Sequence, residues 1–75
     1  MMVTLPDIPE YACVRAVKEI RDDEVVIPVG ATGTVVCIIK NNFGYEVEFT
    51  EPIHVVVGVY RDEIALIEGA HGNCV

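Results

Sequence analysis

The sequence predicts an all-β domain, a small five-stranded barrel with at most one helical turn before the last strand. Short apolar runs rich in β-branched residues alternate with polar or glycine-containing breaks, and this pattern is typical of small barrels. Apolar residues at helical spacing are missing from every window of eleven residues. The 75 residues make one domain, which buries only about 60% of the surface that the unfolded chain exposes.

The chain divides into an N-terminal arm at 1–10, a barrel at 11–68 and a mobile C-terminal tail at 69–75. Two prolines in the arm disfavour a helix, and Leu5 and Ile8 are free to pack on the barrel. The tail contains two glycines and little apolar content, which is typical of a mobile terminus.

The first strand is predicted at 11–17, where successive side chains alternate between two faces. Cys13 lies on one face and Val14 on the other. The charged stretch at 18–24 has no period, so we expect a solvated loop. The short apolar run at 25–27 ends at a proline, which favours a sheet edge or a strand end.

The stretch from 30 to 39 is the centre of the predicted fold. Gly30 and Gly33 are predicted to form a tight turn, because glycine adopts positive φ angles without steric cost. A strand from about 33 to 40 follows, with apolar residues on both faces. Cys37 shares a face with its neighbours two residues away, which predicts an inert buried thiol.

The second half of the chain has the clearest alternation. A turn at 41–44 precedes a strand whose inward side chains are Tyr45, Val47 and Phe49 and whose outward side chains are Glu46 and Glu48. The break at 50–52 is followed by a strand from 53 to 60 with apolar groups on both faces. A single helical turn is expected at 61–64, and a closing strand at 65–67.

Four segments together resemble a known pattern: Tyr11-x-x-Val14, Gly30-x-x-Gly33-Thr34-Val35-Val36, Tyr45-Glu46-Val47-Glu48-Phe49 and Asp62-x-Ile64-x-Leu66. The chain resembles a bacterial domain-of-unknown-function family of small SH3-like barrels. It is also similar to the SH3-like modules of the nitrile hydratase β subunit, photosystem I subunit IV and the variable chain of ferredoxin–thioredoxin reductase. The resemblance implies a small subunit that packs against a partner without catalytic residues of its own.

The charge balance narrows the classes of partner. Five Lys and Arg against twelve Asp and Glu give a formal net charge of −7. The few basic residues are scattered, whereas nucleic acids and anionic membranes require clustered ones. We therefore expect neither partner. An acidic inhibitor that mimics nucleic acid stays open, and it requires one stripe of carboxylates from Glu46, Glu48, Glu51 and Asp62.

The cysteines and the N-terminal sequence indicate the cellular compartment of the protein. Three cysteines are an odd number without a C-x-x-C spacing, which favours reduced thiols over a disulfide framework. We interpret Cys13 as a small core residue. The start of the chain lacks the pattern of a signal peptide, and no apolar run approaches the ~20 residues of a membrane span. The sequence thus predicts a cytoplasmic protein.

No catalytic, cofactor or metal site is predicted. His71 and Cys74 supply one pair of soft ligands, whereas a structural zinc site usually takes four. A nucleophile–base pair of Cys37 and His54 is disfavoured, because Cys37 is predicted to be an inert buried thiol. We expect a protein that is not an enzyme and binds no cofactor or small-molecule substrate.

The surplus of apolar side chains predicts an interaction surface. The residues opposite the predicted core faces are Val36, Ile38, Val56 and Tyr60. They can be covered by the barrel itself or by a partner, since contiguous exposed apolar patches mark interaction sites. The leading hypothesis is a non-catalytic, self-associating interaction module, a homodimer. The alternative is an accessory subunit of a larger enzyme or redox complex.

Overall fold

The computed structural model describes residues 7–39 and 44–67, and this part of the chain is built of strands. The elements in chain order are β1 (Cys13–Ala16), β2 (Ile20–Asp22), β3 (Val25–Ile27), β4 (Thr32–Ile39), β5 (Gly44–Glu51), β6 (Val55–Val59), a 3-10 turn (Arg61–Glu63) and β7 (Ile64–Leu66). The prediction of an all-β domain with one helical turn before the last strand is confirmed.

Five of the strands form one antiparallel sheet in the order β6-β5-β4-β1-β7. Its two edge strands are consecutive in the chain, and the 3-10 turn joins them. The sheet must therefore curl until its edges come near each other. In the described residues β6 and β7 do not pair, so this curled sheet is not a closed barrel.

The core lies inside the curl. Tyr45 and Phe49 are its largest side chains and are fully buried. Val47 lies between them on the same inward side of β5, as the alternation predicts. The Tyr45 hydroxyl accepts a hydrogen bond of 3.3 Å from the backbone N–H of Ile8. Ile8 is 1% exposed, so the described end of the predicted arm packs on the core.

The predicted solvated loop at 18–24 is wrong, because this segment contains β2. The strands β2 and β3 form a separate hairpin in which Ile20 lies opposite Ile27. Both isoleucines are buried, so one apolar residue among many charges is enough to anchor the strand. Asp23 turns the chain with a φ of 45°, a conformation that aspartate tolerates better than most residues.

The two glycines before β4 have different roles. Gly30 has a φ of 94° and forms the predicted turn. Gly33 lies inside β4, where a Cβ atom would sit 2.7 Å from the Cα of Phe49. Gly33 therefore allows close approach of β4 and β5 and is not a turn residue.

A β-bulge in β4 changes which residues face the core. Val35 lies opposite Val47, but Cys37 and not Val36 lies opposite Glu46. One extra residue on the bulged strand shifts the alternation of every residue after it. The strict alternation predicted for 33–40 is therefore wrong beyond Val35.

The later elements follow the prediction closely. β6 is shorter than the predicted 53–60, but its inward and outward residues are those expected. At the 3-10 turn, the side-chain carboxylate of Glu63 accepts a 2.8 Å hydrogen bond from the N–H of Tyr60. This satisfies a backbone donor that the turn itself leaves unpaired. The predicted turn at 41–44, except Gly44, and the predicted tail at 69–75 lie outside the described residues.

Candidate interaction surface

The solvent side of β4, β5 and β6 carries several apolar groups, and we call it the outer face. Strand register defines its rows. Cys37, Glu46 and Gly58 form one row, while Glu48 and Val56 lie side by side in the next. Toward the end of the sheet, Ile39 pairs with Gly44, and Tyr60 follows β6. The members are Cys37, Ile39, Gly44, Glu46, Glu48, Val56, Gly58 and Tyr60.

An open depression of about 360 Å³ lies at one end of the outer face, lined by Ile39, Gly44, Gly58, Val59 and Tyr60. We call it the glycine depression, because two of the described residues that line it are glycines. Its walls are apolar side chains, Ile39 at 42% exposure and Tyr60 at 67%. A depression of this chemistry suits an apolar side chain better than a charged ligand.

The two glycines of the depression are required for different reasons. At Gly44, a Cβ atom would come within 2.8 Å of the carbonyl oxygen of Val59, so the packing of β5 against β6 excludes a side chain. At Gly58, an added Cβ atom would meet no atom of the described residues within 4 Å. The part of the chain that the structure describes gives no steric reason for a glycine at position 58.

The structure brings together two of the four residues predicted as an interaction surface. Val56 and Tyr60 both lie on the outer face and are 53% and 67% exposed. Ile38 instead lies opposite Tyr45, on the inward side, although it is 38% exposed. Val36 is the extra residue of the bulge and is half-buried. The four residues do not form one contiguous row.

The predicted interaction surface did not include Ile39, Gly44 and Gly58, which line the depression. The bulge that turns Ile39 outward has no clear signal in an uninterrupted β-branched run. A signal existed for Gly58, since a glycine inside a valine-rich strand often marks the close approach of another backbone.

The prediction of an inert buried Cys37 is wrong. Cys37 is an exposed free thiol, because the bulge places it beside Glu46 on the outer face. Cys13 is buried, as predicted, but it is disulfide-bonded. The prediction of a reduced thiol at Cys13 is therefore also wrong.

His54 is held by a carboxylate of the outer face. Its Nε2 atom lies 2.6 Å from Oε2 of Glu48, and both side chains are solvent-accessible. Glu48 therefore offers a hydrogen-bond or ion-pair partner to His54. The contact that the structure shows for the His54 ring is this one with Glu48.

The acidic residues are divided between different parts of the surface. Glu46 and Glu48 lie on the outer face, whereas Asp62 lies in the 3-10 turn and accepts a 2.9 Å hydrogen bond from Lys18 Nζ. This hydrogen bond lowers the pKa of the Asp62 carboxyl below its usual value, although the side chain is exposed.

The described residues contain neither a metal-binding cluster nor a membrane-spanning helix. Within 7–39 and 44–67, no three His, Cys, Asp or Glu side chains are grouped so that they could hold a metal ion. His71 and Cys74 lie outside these ranges. The described part contains no helix with the length and apolar character needed to cross a membrane.

Comparison with known proteins returned no relative. No protein-family model, curated protein or solved structure matches the chain. The resemblance to SH3-like barrels stays a prediction, and the surface itself carries the functional argument.

Proposed function

We propose that this chain is a non-catalytic protein-interaction module that associates with a second copy of itself through the outer face. The observation that carries the proposal is the glycine depression, which faces solvent between Ile39 and Tyr60. Contiguous exposed apolar patches mark protein interaction sites. The outer face also exposes Val56, beyond the depression.

The size of the chain supports self-association. Domains of about this size bury little surface and often gain stability from a second chain. Here the apolar content is 52%, and ten large apolar side chains remain exposed in the described residues. A partner that covers some of them would stabilise the fold by removing apolar surface from water.

An SH3-like arrangement is part of the same proposal. Five strands in one curled sheet and a single 3-10 turn before the last strand support it. The alternative, an accessory subunit of a larger enzyme or redox complex, would use the same outer face with a different occupant. A solution measurement distinguishes the two.

The test is the molar mass by multi-angle light scattering over a range of concentrations, for the native chain and two matched variants. Val56→Asp places a charge on the outer face. Val26→Asp places the same charge on β3, at a valine that is 49% exposed against 53% for Val56. We expect a concentration-dependent dimer for the native chain and for Val26→Asp, and a monomer for Val56→Asp. A native chain that is monomeric at every concentration, or a dimer that survives in Val56→Asp, would overturn self-association through this face.

The sequence predicts a cytoplasmic location, but the disulfide at Cys13 argues against a reducing compartment. Disulfides persist mainly in oxidising compartments. With three cysteines in the chain, we expect one reactive thiol per chain in denaturant without reductant, and three after reduction. Quantifying thiols with a chromogenic reagent, after trapping them at cell lysis, tests this. Three thiols before reduction would restore the argument for a reducing compartment.

A further inference from the structure

We infer that two copies of the chain associate by antiparallel pairing of their β6 strands, edge to edge, with the two-fold axis at Val57. The inference rests on the proposed self-association and specifies its geometry. It joins two five-stranded sheets into one continuous sheet.

The edge of β6 is suited to pairing. Among the described strands β6 pairs with β5 alone, so its other edge carries backbone N–H and C=O groups that no described strand satisfies. Proteins usually protect such an edge with charged residues, proline or a bulge. Val55–Val59 contains no charge and no proline, and its ladder with β5 runs without a register shift.

Gly58 supplies the second, independent observation. A glycine inside a strand costs about 0.5–1 kcal/mol relative to alanine. Its φ is not positive, and an added Cβ atom would meet no atom of residues 7–39 and 44–67 within 4 Å. Neither its backbone conformation nor its packing against the described residues requires the glycine, so the space above it is available to a group from outside.

The sequence of β6 identifies a second copy as the occupant. In an antiparallel pair centred on Val57, Val56 of each copy lies directly opposite Gly58 of the other. Opposite residues point to the same side of the sheet, and Val56 and Gly58 both lie on the outer face. Each Val56 side chain therefore enters the space that Gly58 of the second copy leaves open, and the pairing is self-complementary.

The charges of the chain are compatible with this approach. Two copies that each carry a net charge of −7 repel each other over most of their surfaces. At β6, the nearest outer-face carboxylates, Glu46 and Glu48, lie one strand away on β5. Two strand spacings of about 4.8 Å each, from β5 to β6 and from β6 to the β6 strand of the second copy, separate these glutamates from the second copy. This separation is close to the Debye length at physiological ionic strength. We expect the dimer to strengthen as salt is added.

Disulfide trapping tests the register. In a Cys37→Ser background, a Val56→Cys chain is mixed with a Gly58→Cys chain and oxidised under mild conditions. Directly opposed positions have Cβ atoms about 4.5–5.5 Å apart, and the spacing can relax to that of a disulfide. In the unmixed controls, Val56→Cys alone and Gly58→Cys alone, the thiols of the two copies are diagonal neighbours at about 7–8 Å. We expect the mixed sample to yield at least fivefold more cross-linked dimer than either control.

The outcomes separate this inference from the proposed function. The native chain can be a dimer in light scattering while the mixed sample cross-links no better than the controls. This result would overturn β6 pairing and leave self-association through the outer face standing. A native chain that stays monomeric would overturn both. Cross-linking confined to the mixed sample, together with dissociation by Gly58→Val, would establish the paired edge, because valine fits the monomer but fills the space that Val56 of the second copy needs.

Discussion

The two sides of β5 differ in whether folding of the single chain explains the residues found there. On the inward side, Tyr45, Val47 and Phe49 are all fully buried, and each contributes to the core. On the outward side, Gly44 and two glutamates lie beside exposed apolar groups of the neighbouring strands. The inward side is explained by folding alone, whereas the outer face holds apolar surface and a glycine that folding does not require.

The same contrast separates two glycines. Gly33 lies where β4 approaches β5, and backbone atoms of Phe49 occupy the space that a side chain would need. Gly58 lies on the edge strand β6, where no atom of the described residues comes within 4 Å of the place that a Cβ atom would take. A glycine that the monomer needs and a glycine that it does not need should respond oppositely to the same substitution. The contrast between the two sides can therefore be tested by mutation.

The largest expected difference is between truncation of the two sides. Phe49→Ala removes a fully buried ring, and such changes cost about 3–5 kcal/mol. Val56→Ala changes a side chain that is 53% exposed, so we expect the free energy of unfolding of the monomer to change by less than about 1 kcal/mol. Urea denaturation at low protein concentration measures both. Equal losses would show that the outer face is part of the folding core.

The next comparison is between the two glycines. Gly33→Ala forces a Cβ atom against the backbone of β5, and overpacking of this kind costs about 1–3 kcal/mol. Gly58→Ala places a Cβ atom in open space, so we expect the monomer to keep its stability or gain about 0.4–1 kcal/mol. Thermal unfolding under dilute conditions measures both. A destabilising Gly58→Ala would mean that the glycine has a structural role in the monomer, which would remove its value as a marker of the interface.

The inward side could be predicted from the sequence because it obeys a single rule. Tyr45, Val47 and Phe49 alternate with two glutamates, and a period of two specifies which residues enter the core. The faces of β6 follow in the same way, from the alternation that ends at Val59. Both predictions depend on neighbouring residues alone, which a sequence displays directly.

The outer face could not be predicted to the same extent, because it depends on long-range geometry. In a run of β-branched residues every position suits a strand, so the bulge at Val36 leaves no local mark, yet it turns Cys37 and Ile39 outward. The hairpin of β2 and β3 was missed for a similar reason. Ile20 is one apolar residue among charges, and its burial depends on pairing with Ile27.

The smallest expected effect concerns the polar contact of the outer face, between Glu48 and His54. Side chains this accessible gain little from pairing, because water screens the charges and the pair must be held in one geometry. We expect a coupling energy below about 1 kcal/mol in a double-mutant cycle of Glu48→Gln and His54→Gln, measured by urea denaturation. Glu46→Gln, which removes the same charge from the same side of β5, is the matched control for net charge. A coupling energy well above 1 kcal/mol would show that the outer face contributes to folding through its polar residues. The proposed division of β5 into a side that folds the chain and a side that binds a partner would then have to be withdrawn.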